Sequence, residues 1–289
     1  MKNILQFVIA FAILLFGMTM QSQALEKTLL WKITGKGLEK PSYLYGTIHV
    51  ACEVTLKDAV LNALEETQQL CLELDMDDES LQARMMESVA MKGGTALNSL
   101  ASPEDFKVLD AFFLERIGVS ATMFNTMKPF VVSAMLYPLM MDCPMQSVEG
   151  ELMRISREQA EAVIGLETVA EQMAVFDAIP YEVQMSELIK TAKGNMEADK
   201  QELQHMLAVY ASEDIDAMLA FIKDSENTMM SEFENELLVN RNKNWIPMIA
   251  KITKEKPTFF GVGAAHLSGE YGVIQLLRKA GFTVEAVLN

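Results

Sequence analysis

Two of the chain's three histidines stand in matching places, each three residues after a glycine and one near each end. The first stretch reads Lys40-Pro41-Ser42-Tyr43-Leu44-Tyr45-Gly46-Thr47-Ile48-His49. The second reads Lys256-Pro257-Thr258-Phe259-Phe260-Gly261-Val262-Gly263-Ala264-Ala265-His266, with one residue more. A glycine at that spacing lets a strand end turn tightly and leaves the imidazole at the sheet's carboxyl edge. Two such imidazoles with a carboxylate nearby supply what a divalent metal or an acid–base pair requires. One GxxH alone is a chance event; two in matched contexts point to a shared site. The remaining histidine, His205, sits in a charged helical stretch and reads as a solvated surface residue.

Glu73 lies in the apolar run Leu70-Cys71-Leu72-Glu73-Leu74-Asp75. A carboxylate there is costly to bury unless it is paired or bound to a cation, and the alternative is a strand-end acid reaching solvent. Its counterpart in the second copy is Glu285. Glu167, between Gly165-Leu166 and Thr168, reads as a helix-start acid favoured by the macrodipole. Arg241 is placed on a helix shortly before the second copy, where it would clamp a carboxylate or an oxyanion or lie on the surface.

Gly261-Val262-Gly263 also opens like a dinucleotide-binding fingerprint, with Glu285 near the position of the ribose acid. However, His266 replaces the third glycine and too little chain follows for the remaining strands, so the nucleotide reading is rejected. GxSxG, HExxH and P-loop patterns are absent from the sequence.

The elements that must carry these residues repeat as well. Residues 28–33 and 42–46 alternate as a β-hairpin around Gly35-Lys36-Gly37. A helix follows from a Thr55 cap to about residue 69, then a strand over 70–75 that puts Cys71, Glu73 and Asp75 on one face. The chain closes on strand 258–262, a helix over 271–280, Gly281 as its stop, and strand 282–288. The segment between is helical, with Ser102-Pro103-Glu104-Asp105 as one clear start, Ser212 as another, and a short strand at 162–166. The expected fold is α/β (α+β). A mixed central sheet is built from two related β-α-β halves at the N- and C-terminal ends, with a large helical insertion between. The expected division is 25–78, 79–255 and 256–289 within a single domain at 25–289.

Residues 1–24 carry Lys2, an apolar core and Ser22-Gln23-Ala24, the pattern of a signal peptide. A secreted, periplasmic protein without a membrane span after processing is therefore expected. A net charge of −16 excludes nucleic acid as a natural partner. The 22 methionines are scattered and suit adaptable packing rather than a metal box. Cys71 is expected to be buried, which leaves Cys52–Cys143 as the bridge an oxidising compartment would form.

With the paired GxxH motifs, Glu73, Gly165-Leu166-Glu167-Thr168, Arg241-Asn242 and the ending His266-Leu267-Ser268-Gly269 placed, the chain resembles the TraB/PrgY/GumN family. That family belongs with the Tiki metalloproteases, which act on the N-terminus of Wnt proteins, and more distantly with erythromycin esterase and the haem-binding ChaN proteins. The resemblance implies a site of His49, Glu73, Arg241 and His266. It implies hydrolysis of a peptide or protein substrate with a divalent metal of the manganese or cobalt type, held by His49, Glu73 and His266. A carboxylate would act as base there and Arg241 would steady the oxyanion. The esterase branch instead implies metal-free activation of water by the first histidine. A further alternative is a protein that sequesters metal, haem or a signalling peptide without turnover. Many family members carry Gly-x-Asp where this chain has Ser147-Val148-Glu149, an acid with a longer arm.

Overall fold

The computed structural model describes residues 25–288; the signal-peptide pattern at 1–24 lies outside them. The chain opens with β1 (Leu30–Gly35) and β2 (Ser42–Thr47), then α1 (Asp58–Glu65) and β3 (Gln69–Leu72). Helices α2 (Leu81–Ser88), α3 (Pro103–Arg116), α4 (Pro129–Ala134), α5 (Tyr137–Met140) and α6 (Val148–Glu158) precede β4 (Ala162–Gly165). After it come α7 (Val169–Ala178), α8 (Tyr181–Lys193), α9 (Glu197–Ala211), α10 (Ile215–Lys223) and α11 (Thr228–Glu232). A π-helical turn (Asn235–Val239) runs directly into α12 (Asn240–Glu255). The chain then closes with β5 (Phe259–Gly263), α13 (Val273–Lys279) and β6 (Phe282–Ala286). No helix among the described residues is long and apolar enough to cross a membrane.

The six strands form one mixed sheet in the order β4-β3-β5-β2-β1-β6. Strands β4, β3, β5 and β2 are parallel neighbours, while β1 runs against both β2 and β6. The two related halves therefore interleave: β5 of the second half lies between β2 and β3 of the first. The expected α/β fold with a helical middle is what the chain adopts. Every residue of β2 and β3 is buried, as parallel strands covered on both faces should be. Trp31, Leu44, Leu70, Phe259 and Phe260 fill that core.

Several boundaries differ from the sequence reading. Helix α1 starts at Asp58 after Lys57, not from Thr55, and ends at Glu65. Asp214, not Ser212, caps α10 by accepting from the Ala217 N–H. Strand β3 stops at Leu72, so Glu73 stands just beyond it, and with both faces buried the expected alternation sorts nothing. The predicted start at Ser102 holds, its hydroxyl accepting from the Asp105 N–H. The helical middle also has an apolar cluster of its own, around Leu109, Phe113, Val132 and Leu188. The expected Cys52–Cys143 bridge is formed, and Cys71 is a buried free thiol.

Candidate active site

Parallel pairing of β2 and β5 sets Gly46 opposite Val262 and Thr47 opposite Gly263. Both GxxH motifs thus leave the sheet at one edge, which is the carboxyl end where parallel sheets place their sites. The first glycine is required for a reason other than a tight turn. Gly46 is absent from the positive-φ positions, but a Cβ there would lie 2.9 Å from Leu267 Cδ1 and 3.1 Å from Ala264 Cβ. Its lack of a side chain lets the turn carrying His266 pack onto β2.

Glu73 and Glu167 are brought side by side by backbone pairing that continues past β3 and β4. The Leu166 N–H donates to Leu72 O at 2.9 Å and the Glu167 N–H to Glu73 O at 3.0 Å. Gly165 permits that approach, since a Cβ there would sit 2.5 Å from the Asp75 nitrogen. Two carboxylates so close need a cation between them, and Arg241 supplies it.

The π-helical turn delivers Arg241 at the start of α12, and all of the guanidinium N–H groups find acceptors. Nε donates to Glu167 at 3.1 Å, and Nη2 donates to Glu167 Oε1 at 2.5 Å and to Glu73 Oε2 at 2.6 Å. Nη1 faces the Leu237 carbonyl at 3.2 Å and His266 Nε2 at 3.1 Å. The ring of Trp245 lies under the guanidinium at 4.8 Å and beside His266 at 4.5 Å, and its Nε1 donates to Glu167. Glu73 also accepts from the Gly263 N–H at 2.8 Å. Burial pushes the Glu73 carboxyl up, but Arg241, His266, His49 and that amide outweigh it and hold the group well below the usual carboxylate range.

The tautomer of His266 follows from its neighbour. Asn242 Nδ2 donates to the carbonyls of Tyr271 at 2.9 Å and His266 at 3.3 Å, which turns Oδ1 toward the imidazole. Oδ1 lies 2.6 Å from Nδ1, so Nδ1 carries the proton and Nε2 keeps its lone pair toward Arg241. Burial first, then the charges of Arg241 and His49 against that of Glu73, holds the His266 pKa down to about 3. The ring is neutral at physiological pH.

His49 stands apart from this packed group, with 67% of its side chain exposed. Its Nδ1 lies 2.7 Å from Glu149 Oε1, on the first turn of α6. Desolvation lowers its pKa while the adjacent Glu149 carboxylate raises it, to about 9, an effect that surrounding water screens. Glu149 itself is 6% exposed, and no hydrogen bond of good geometry reaches either of its oxygens or the buried Thr47 hydroxyl.

Glu73, Arg241 and His266 are therefore in direct contact, and His49 shares their sheet edge and their field. Glu167 is clamped to Arg241; it is not a free helix-start acid, and Thr168 caps α7. Glu285 is excluded from the site, exposed on β6 opposite Lys32. His205 is on the surface as expected, edge-on to Phe221. Trp245, the Gly263 amide and Gln172, whose Nε2 donates to Glu167 Oε1 at 3.2 Å and to Glu73 Oε2 at 3.4 Å, had no sequence signal, because each acts by position alone. No group of three or more His, Cys, Asp or Glu side chains spaced to hold a metal occurs among the described residues. A cleft of about 590 Å³ lies on the outer side of Glu167 and Trp245, lined also by Leu74, Asp75, Thr168 and Met248. It does not touch Glu73 or either histidine of the site.

A model of the TraB/PrgY/gumN family matches residues 29–286, and the chain belongs to that family. No curated protein and no solved structure matches it.

Proposed function

We propose that the protein is a metal-dependent hydrolase with peptidase-like chemistry, exported by the 1–24 segment and working in the periplasm on a peptide or protein substrate. One observation carries this reading. Each histidine of the site has its Nδ1 beside an outer oxygen: His266 Nδ1 lies 2.6 Å from Asn242 Oδ1, and His49 Nδ1 lies 2.7 Å from Glu149 Oε1 as a charge contact. That is the outer-shell arrangement which orients metal-ligating histidines and leaves Nε2 as the ligating nitrogen. Glu73, with its Oε1 3.8 Å from His266 Nε2, is held ionised, the form in which a carboxylate ligates.

In donor type, though not in the spacing they have here, His49, Glu73 and His266 suit a divalent ion of the manganese or cobalt type, and they would have to close on it. Such an ion, when bound, supplies a Lewis acid and a nucleophile at neutral pH. The chain's own residues do the rest. Glu73 and Glu167 against Arg241, with His266 neutral, leave the cluster with a net charge of −1, which favours a cation. The Arg241 N–H now directed at His266 Nε2 is the one donor not given to a carboxylate or backbone oxygen, and is free for a substrate oxyanion once His266 ligates. Binding also displaces a proton from His49, so affinity rises with pH.

The metal-free route is less well supported. The Glu149 carboxylate 2.7 Å from His49 Nδ1 favours the protonated imidazole, which is a poor acceptor for another proton. Sequestration without turnover would use the same donors, and activity separates the two. Incubation with an unbiased peptide library plus manganese or cobalt should give cleavage that a chelator stops and that Glu73→Gln lacks while folding normally. Stoichiometric metal binding with no cleaved peptide would leave sequestration in its place.

A further inference from the structure

A short antiparallel ribbon flanks the sheet edge that carries His49. The Ala51 N–H donates to Gln146 O and the Gln146 N–H to Ala51 O, both at 2.8 Å, and the Val148 N–H donates to Ile48 O at 3.1 Å. The Cys52–Cys143 disulfide closes one end, and the His49–Glu149 pair closes the other. The covalent bond thus lies three residues beyond His49 and six before Glu149, on the two segments whose side chains meet.

Glu149 sits on the first turn of α6 and His49 two residues beyond β2, but the chain on the disulfide side of each is irregular. Residues 52–57 pass from the ribbon to α1 without helix or strand, and residues 141–145 are an irregular link out of α5. Glu149 has no well-formed hydrogen bond that would hold it against His49, and His49 is mostly in water. The disulfide, by contrast, ties points 91 residues apart in sequence.

We propose that the Cys52–Cys143 disulfide is a positioning device for the site: it keeps the ribbon closed and so keeps Glu149 against His49. The proposal rests on the functional reading above only in treating His49 as a site residue. Cys52 is exposed and Cys143 half-exposed, whereas Cys71 is fully buried, so a small dithiol acting on the folded protein meets this bond alone. On reduction the Cys52–Cys143 S–S bond breaks and its sulfurs take up two protons. The dithiol loses those protons and closes into its own ring disulfide.

The test is the ¹H–¹³C spectrum of the three imidazoles at one fixed pH, for the oxidised protein, the dithiol-treated protein, C52S/C143S and E149Q. After reduction the His49 signal should move to its position in E149Q, while His266, tied to Asn242, and His205, edge-on to Phe221, stay in place. C52S/C143S should match the reduced protein; if that variant does not fold, the dithiol-treated wild type gives the same reading. An unmoved His49 signal with both thiols free overturns the proposal. So does a shift of all three signals or loss of near-UV dichroism, because the bond would then support the fold at large. Absence of hydrolase activity would not affect the result, which reads the imidazole and not turnover.

Discussion

Nδ1 of His266 lies 2.6 Å from Oδ1 of Asn242, and this contact fixes which nitrogen of the ring is available. Asn242 is held in turn by the carbonyls of Tyr271 and His266, so the ring cannot choose the other tautomer without leaving a buried donor or acceptor unmatched. His49 and Glu149 form the corresponding pair at the first motif.

Asn242→Leu removes this tie with little change in volume. The expected outcome is a folded protein whose cobalt or manganese affinity, measured by isothermal titration, falls about 10–100-fold. Unchanged affinity would show that the tautomer is fixed by something else.

Arg241→Met leaves Glu73 and Glu167 adjacent, buried and without their cation. Breaking a buried pair by removing one partner costs about 3–5 kcal/mol, and urea denaturation should show a loss of that order. The double change Glu167→Gln with Arg241→Met should recover part of it. A loss under about 0.5 kcal/mol, ordinary for a surface substitution, would mean that the carboxylates reach water.

The pH dependence of stability has a definite sign. His266 falls from 6.5 unfolded to about 3 folded, and Glu73 drops below its ordinary 4.5. Both are depressed, so each contributes stability that is present above its unfolded value and lost as pH falls. His49 is raised from 6.5 to about 9, and its smaller, water-screened contribution is lost as pH climbs through that value. Between pH 7.5 and 5.0 the melting temperature of wild type should therefore drop more than that of His266→Gln. Equal drops would mean that His266 accepts a proton in the folded state without penalty.

Gly46→Ala probes the packing that seats the second motif on the first. The added methyl would press on Leu267, the residue next to His266, and overpacking of this kind costs about 1–3 kcal/mol. Thermal unfolding measures it, and a neutral result would show that Leu267 has room to move.

The sheet, and the grouping of Glu73, Arg241 and His266 in the candidate site, were legible because they rest on local pattern. The duplicated Lys-Pro-to-GxxH stretches announce two strands that end alike, and β2–β5 pairing makes them neighbours. Glu73 and Arg241 stood out as charges in apolar or helical settings that need a partner. What the sequence did not carry depends on register and distance. Glu167 joins the site through β3–β4 pairing extended past both strand ends, and a helix-start motif gives no hint of that. Glu285 occupied the corresponding place in the second copy by count, yet β6 lies at the far edge, four strands from β3. The role of Gly46 as a contact, not a turn, required knowing what stands over it.

The most direct test of a single metal-binding site built from both motifs is a cobalt(II) titration followed by visible absorption, on wild type and on His49→Ala/His266→Ala. Wild type should bind cobalt stoichiometrically with a ligand-field spectrum that the double variant, still folded by circular dichroism, does not develop. Identical spectra from both proteins, or none from wild type at millimolar cobalt, would contradict it.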